Sequence, residues 1–133
     1  MRVRVSVYGL AIHDGHVLMT QLAEKCNRGG SWTLPGGGMD HGEQPLDTLV
    51  REVYEETGLH AAEPELLHAG SYSESTHGPY MAVQLVYRVQ MTGEPQVMEQ
   101  GGSTADAAWV PLTHVGTMKT VPFVDLVLAS FVG

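Results

Sequence analysis

The chain has 133 residues, 43% of them hydrophobic and 17% charged, with a formal net charge of −8. That length suits one domain over residues 1–133 with a core of its own, and the single cysteine, Cys26, excludes an internal disulfide or a multi-cysteine zinc site. The acidic balance argues against broad binding to nucleic-acid backbones, and a phosphate-rich ligand would meet too few Lys and Arg to be neutralised without metal ions.

In chain order, Val3, Val5 and Val7 alternate with Arg2, Arg4 and Ser6, a period of two that predicts a strand running toward Ile12. The same stretch is too short and too alternating for a secretory hydrophobic segment, and no apolar run reaches membrane-spanning length. A cytoplasmic protein with no membrane partner is expected. Asp14-Gly15 is a hairpin signal, and His16–Leu22 is predicted as the returning strand. Ala23–Gly30 follows as a polar loop whose Lys25 and Arg28 fit two readings, phosphate contact or plain solvated charge. In Ser31–Gly38, SWTLPGGG, Pro35 and three successive glycines argue against regular structure and let backbone approach another group closely. No Gly-Lys-Ser/Thr follows, and the G-x-G-x-x-G spacing is absent, so this is neither a Walker loop nor a dinucleotide fingerprint. A glycine carbonyl here is free to face a metal, and Trp32 is read first as a packed aromatic, second as a base-stacking one.

The stretch Gly37–Leu59, GGMDHGEQPLDTLVREVYEETGL, holds the most concentrated chemistry. Pro45 suits a first helical turn and Gly58 a left-handed stop, which predicts a helix between them. At about 100° per residue Leu46, Leu49, Val50 and Val53 form one stripe, while Glu52, Glu55 and Glu56 share a neighbouring face. Core is expected on the first and carboxylates on the second. Like charges at i, i+3 and i+4 repel, and they lie toward the helix end that disfavours anions. A hard divalent cation with oxygen ligands would reverse that penalty.

Beyond the helix, Leu66–Tyr72 and Met81–Met91 read as strands around a Ser73–Pro79 loop, in which Glu74 and His77 are candidates to face a ligand. Gly93–Gly102 reads as a loop with Glu94 and Glu99, Ala107–Leu112 as a short strand, and Val121–Phe131 as a closing helix. Strands interspersed with two helices give an α/β or α+β class with a mixed sheet.

The Gly37–Leu59 stretch resembles the Nudix box, G-x5-E-x7-R-E-U-x-E-E-x-G-U with U aliphatic, at Gly37, Glu43, Arg51, Glu52, Val53, Glu55, Glu56, Gly58 and Leu59. The preceding Trp-x-Leu-Pro-Gly-Gly and the later Trp-Val-Pro-Leu also look like this family. The resemblance to Nudix hydrolases of the MutT type implies an α/β/α sandwich with a mixed β-sheet. It implies Mg²⁺ or Mn²⁺ as cofactor and hydrolysis of a nucleoside diphosphate linked to another group, such as a nucleoside triphosphate or a nucleotide sugar. Glu55 and Glu56 are then expected as metal ligands with the Gly36 carbonyl, Glu52 as ligand or general base, and Arg51 and Glu43 as residues that hold the glutamates. Relatives often add one late acid; Glu99 and Asp106 qualify by position, and Glu99 is preferred. Many relatives carry an arginine where this chain has Gln21 and Leu22, leaving phosphate contact to Lys25, Arg28 or metal. The downstream proline and tyrosine that mark two subfamilies are missing from their usual distances, so base and leaving group stay open. The alternative is a nucleotide-sensing module of the same family that does not hydrolyse; monomer and homodimer are both compatible.

Overall fold

The computed structural model describes residues 2–75 and 78–132; His77 lies outside the described residues. Its first strand, β1 (Arg2–Leu10), leads through β2 (Ile12–His13) and the Asp14-Gly15 turn into β3 (His16–Leu22). Asp14 and Gly15 both have positive φ, 48° and 73°, as a tight two-residue hairpin requires. There follow β4 (Trp32–Thr33), β5 (Gly36–Gly38), helix α1 (Pro45–Thr57), β6 (Ala62–Glu74), β7 (Tyr80–Gln90), β8 (Thr104–Pro111), a 3-10 turn at Val115–Thr117, and helix α2 (Pro122–Phe131).

Among the described residues eight strands make two sheets. In the first the order is β5-β1-β7-β6, with β1 and β7 parallel and the outer pairs antiparallel, so the sheet is mixed. In the second, β8 pairs antiparallel along the whole of β3, while β2 and β4 pair with the two ends of β3. Alternation along the strands sends neighbouring side chains to opposite faces. From β3, Leu18 joins Val7, Ala11, Leu49, Val53, Val89 and Met91 beneath α1. Val17 and Met19 join Leu10, Leu34, Val86, Val110, Val124 and Val127 beneath α2. Each fully buried Leu or Val contributes roughly 1.5–3 kcal/mol, so both helices are clamped onto the strands. The result is the expected α/β/α sandwich.

Helix α1 starts without a side-chain cap: Gln44 stands at the cap position and Pro45 opens the first turn, where its missing N–H costs nothing. It stops at Gly58, φ 71°, whose N–H donates to the Tyr54 carbonyl at 2.8 Å. The carbonyls of its last turn are taken up by a distant loop: Glu55 O accepts from the N–H groups of Met98 and Glu99 at 2.9 and 3.0 Å, and Thr57 O from Gln96 at 2.8 Å.

Three local expectations are corrected. The apolar stripe of α1 is narrower than its periodicity suggests: Leu49 and Val53 are buried, but Leu46 and Val50 are each 45% exposed because the strands below reach only one edge of the stripe. Glu56, expected on a carboxylate face away from the core, is only 7% exposed. The SWTLPGGG segment is not irregular, since Trp32–Thr33 pairs with β3 and the three glycines pair with β1; partners distant in sequence supply the ladder. Strands β6 and β8 also begin earlier than their apolar runs.

Candidate active site

The glycine strand β5 brings backbone against α1. Gly36 has φ 152°, and a Cβ there would collide with the Val7 carbonyl and the Tyr8 ring. Its N–H donates to Glu56 Oε1 at 3.0 Å. A Cβ on Gly37 would stand 2.7 Å from the Glu52 carboxylate. Two of the helix glutamates therefore lie directly against a strand that has no side chains to keep them off.

Arg51 organises the rest. Its guanidinium donates from Nε and Nη2 to both oxygens of Glu43, at 2.8 and 2.9 Å, a bidentate pairing. Nη1 donates to Glu52 Oε1 at 2.8 Å and to Glu55 Oε2 at 3.4 Å, and Nη2 to the Gly38 carbonyl at 3.3 Å. Asp40 adds an ion pair at 3.5 Å. Glu43 also accepts from the Thr48 hydroxyl at 2.6 Å and the Asp40 N–H at 3.0 Å. The Arg51 hydrogen bonds first, then those of Thr48 and Asp40, hold the Glu43 carboxyl down at about 2. In return the hydrogen bonds to Glu43, and after them the pairing with Glu52, raise the Arg51 guanidinium above its ordinary value. Glu43 is thus a fixed anion whose work is to hold Arg51.

The carboxylates farther along α1 behave oppositely. Burial, followed by the nearby Glu52, pushes Glu56 well up, against the lowering effect of the Gly36 N–H. Burial also raises Glu55, reinforced by its neighbours Glu99 and Glu52. Glu52, Glu55, Glu56 and Glu99 line one small cleft with Val97, Gly102, Ser103 and Thr104. Four hard oxygen-bearing side chains sharing a cleft, two of them strained toward protonation, fit a Mg²⁺- or Mn²⁺-type ion by donor chemistry. Among the described residues no finished three-ligand cluster is assembled. Arg51 still engages Glu52 and Glu55, and Gly36 engages Glu56.

The remaining sequence-predicted residues are spread out. Glu99 is drawn to the cleft by its backbone bond to Glu55, and Gly102 allows it, since a Cβ there would sit 2.8 Å from the Glu99 carboxylate. Asp106 lies on β8 opposite Gln21, its carboxylate accepting from the Ala107 N–H at 2.8 Å. Lys25 Nζ donates to the Gly101 carbonyl at 2.5 Å, tying its loop to the one that carries Glu99. Arg28, at φ 62°, is exposed. Trp32 is half-buried among the α2-side core, its backbone bonded to Lys119 and Val121. Thr104 and Ser103 were not singled out by the sequence; they reach the cleft only because β8 starts where the Glu99 loop ends, a juxtaposition without a local signal.

The comparisons with known proteins agree with this geometry. The NUDIX domain family model matches residues 2–129. The chain belongs to the Nudix family. It is 34% identical over 107 residues to a nucleoside triphosphate pyrophosphatase/Nudix hydrolase fusion protein of Bifidobacterium longum, covering 78% of this chain and 21% of that protein. It is 36% identical over 110 residues to the human 8-oxo-dGDP phosphatase NUDT18, covering 81% of this chain and 32% of that protein. The chain thus spans about a fifth to a third of the length of these curated relatives. In fold it is similar to a MutT NUDIX hydrolase of Burkholderia pseudomallei, with a TM-score of 0.83 at 23% identity over 98% of this Nudix chain and 99% of the other.

Proposed function

We propose that the chain forms a single Nudix hydrolase domain acting as a Mg²⁺- or Mn²⁺-dependent pyrophosphohydrolase on a nucleoside diphosphate linked to another group. A nucleoside triphosphate or a nucleotide sugar is the substrate class. The observation that carries this reading is the meeting of Glu52, Glu55, Glu56 and Glu99 in one cleft beside a side-chain-free strand. Such crowding is unfavourable for an empty protein and favourable for one that holds a divalent ion against a diphosphate.

In this reading Glu55 and Glu56 hold the ion, with Glu52 and the Gly36 carbonyl as further ligands. When bound, the ion supplies positive charge to the diphosphate and acidifies a coordinated water. The chain's own groups do the rest. Glu99 or Glu52 accepts the proton from the attacking water as its oxygen bonds to phosphorus and the bridging P–O bond breaks, the electron pair leaving with the departing phosphate oxygen. Arg51, clamped by Glu43, positions Glu52 and Glu55 and keeps the two anions at a tolerable distance before the ion arrives. Lys25 and Arg28 serve the phosphates from the adjoining loop, and Trp32 is the aromatic nearest that loop in sequence.

The test is incubation with nucleoside triphosphates, dinucleoside polyphosphates and nucleotide sugars, with Mg²⁺, Mn²⁺ or EDTA, followed by product identification. Metal-dependent release of a nucleoside monophosphate or of pyrophosphate is expected, and Glu55→Gln and Glu56→Gln abolish it while the fold is kept. No metal-dependent product from any compound would sink the proposal; tight nucleotide binding without turnover would move the assignment to a sensing module.

A further inference from the structure

Among the described residues one buried side-chain polar atom has no hydrogen-bond partner: the hydroxyl oxygen of Thr33, a residue 7% exposed. Two other buried threonines are satisfied, Thr48 donating to Glu43 at 2.6 Å and Thr57 to the Val53 carbonyl at 2.7 Å. A buried hydroxyl left without a partner destabilises a fold, and valine in its place would keep the branched shape while removing the cost. A residue that the fold alone does not favour calls for a second reason.

The strand pairing shows what Thr33 faces. Along β3 the side chains alternate: Val17 and Met19 enter the core beneath α2, and Leu18 enters the core beneath α1. Thr20 therefore faces α1, and so does Thr33, its partner across the β3–β4 pair. Trp32, the residue before it, packs on the α2 side, as the alternation requires. Three rows cross the α1-side face in order: Leu18 with Trp109, Thr20 with Ala107 and Thr33, then Leu22 with Thr104. The first row packs with Leu49 and Val53 of α1. The third reaches the cleft, which Thr104 lines together with Glu52, Glu55 and Glu56. Thr33 thus stands in the seam between the core and the carboxylates.

The helix presents Glu56 to that seam. It follows Val53 by three positions, so it lies on the same side of α1 one turn nearer the cleft. Of the cleft glutamates it is the buried one. The segment that carries Thr33 continues through Leu34 and Pro35 to Gly36, whose N–H donates to Glu56 Oε1 at 3.0 Å. One end of this segment already holds an oxygen of that carboxylate. The row itself contains only Thr20, Ala107 and Thr33, all short enough for a carboxylate to approach.

We propose that Thr33 is a positioning residue for Glu56, its hydroxyl serving as a second donor, after the Gly36 N–H, that orients this carboxylate when Glu56 holds the divalent ion. A backbone N–H and a hydroxyl from one segment fix the plane of the carboxylate and leave lone pairs for the ion. An apolar side chain at this position would suit the fold better and leave the carboxylate held at one point. Serine supplies the same donor and valine does not. This rests on the reading that the glutamates of α1 hold a divalent ion.

The experiment compares the parent with Thr33→Val, Thr33→Ser and, as a control for a hydroxyl that has its partner, Thr57→Val. It reads Tm in EDTA, Mn²⁺ affinity by electron paramagnetic resonance without nucleotide, and kcat across a panel of nucleoside triphosphates in Mg²⁺. In EDTA Thr33→Val is expected to melt roughly 3–5 °C above the parent, and Thr57→Val below it. Thr33→Val is expected to bind Mn²⁺ about tenfold more weakly and to lose turnover by a similar factor, while Thr33→Ser matches the parent in both. A merely structural role would not yield a variant that is more stable and yet weaker for the metal. If Thr33→Val melts below the parent in EDTA, the hydroxyl already has its partner in the fold and the assignment is wrong. If Thr33→Ser is as weak for Mn²⁺ as Thr33→Val, the hydroxyl is not the group responsible. If the parent binds Mn²⁺ and turns over nucleotides but Thr33→Val does both equally well, Thr33 does not position Glu56 and the pyrophosphohydrolase reading stands. If the parent neither binds Mn²⁺ nor hydrolyses any nucleotide, the functional reading fails and this role fails with it.

Discussion

Replacing Glu56 by Gln separates what this side chain costs the fold from what it does for a metal ion. Glu56 is 7% exposed, and burial with Glu52 nearby raises its carboxyl well above the usual range. A carboxyl raised in the folded state binds its proton more tightly there than in the unfolded chain. Its contribution to stability is therefore present at pH below the ordinary 4.5 and is lost as pH rises toward the folded value. One such group tilts stability by at most about 1.4 kcal/mol per pH unit across that window. Gln has the same shape, keeps an oxygen for the Gly36 N–H, and carries no charge to desolvate. In EDTA the variant should be more stable than the parent at pH 8, and its advantage should shrink toward pH 4.5. For a domain of this size about 1 kcal/mol corresponds to roughly 3–5 °C in Tm. Saturating Mg²⁺ or Mn²⁺ should raise the parent's Tm, with a much smaller rise in Glu56→Gln. Scanning calorimetry at four pH values with and without metal reads all of this. A Glu56→Gln protein less stable than the parent in EDTA at pH 8 would refute the reasoning, because it would mean the charge itself supports the fold.

Glu43 has the opposite sign: its carboxyl is held down at about 2, so its contribution is present above pH 4.5 and lost as pH falls toward 2. Glu43→Gln should flatten the acid limb of the stability profile and leave the alkaline limb alone, as acid titration followed by circular dichroism would show. Gly37→Ala places a methyl 2.7 Å from the Glu52 carboxylate; it should lower kcat at least tenfold with little change in Tm, and an unchanged kcat would show that Glu52 can move freely. Glu99→Gln should cost about 10²–10⁴-fold in turnover if Glu99 is the base, while Asp106→Asn stays near the parent; the reverse outcome in steady-state assays would move the late acid to β8.

The box could be read from the sequence because it is local. Arg51, Glu52, Glu55 and Glu56 sit within two turns of one helix, and Pro45 and Gly58 mark its ends by backbone chemistry that needs no tertiary partner. What escaped the reading depends on chain brought in from elsewhere. Leu46 and Val50 satisfy the helical period as well as Leu49 and Val53 do, but only contact with β1, β3 and β7 decides which pair is covered. The three glycines looked like a loop because no propensity favours them in a strand; they form one because β1 lies beside them and two glutamates need their missing side chains. Glu99 and Asp106 both qualify by position in the sequence, with only a slight preference for Glu99. Glu99 reaches the cleft through its backbone N–H on the end of α1, a contact across forty-odd residues that leaves no mark in the sequence.

The arrangement of charge around α1 explains why the chain holds so few bases where a phosphate ligand is expected. Arg51 is spent inside the protein: it reconciles Glu43, Glu52 and Glu55, and Glu43 is ionised firmly enough to keep it there. A second fixed arginine among the glutamates would compete with a divalent ion for the same oxygens and weaken the site it was meant to help. On the proposed reading a cation that serves a phosphate stands outside the carboxylate cleft, and Arg4, whose guanidinium lies against Gly38, is placed to be tested for that role. Arg4 lies on one face of β5 and Glu52 on the other, separated by backbone alone. Substituting bulk into Gly38 should disturb Arg4, and bulk at Gly37 should disturb Glu52. If the two variants have the same effect on nucleotide affinity and on turnover, the division of labour across β5 does not exist; if Gly38→Ala raises KM while Gly37→Ala lowers kcat, it does.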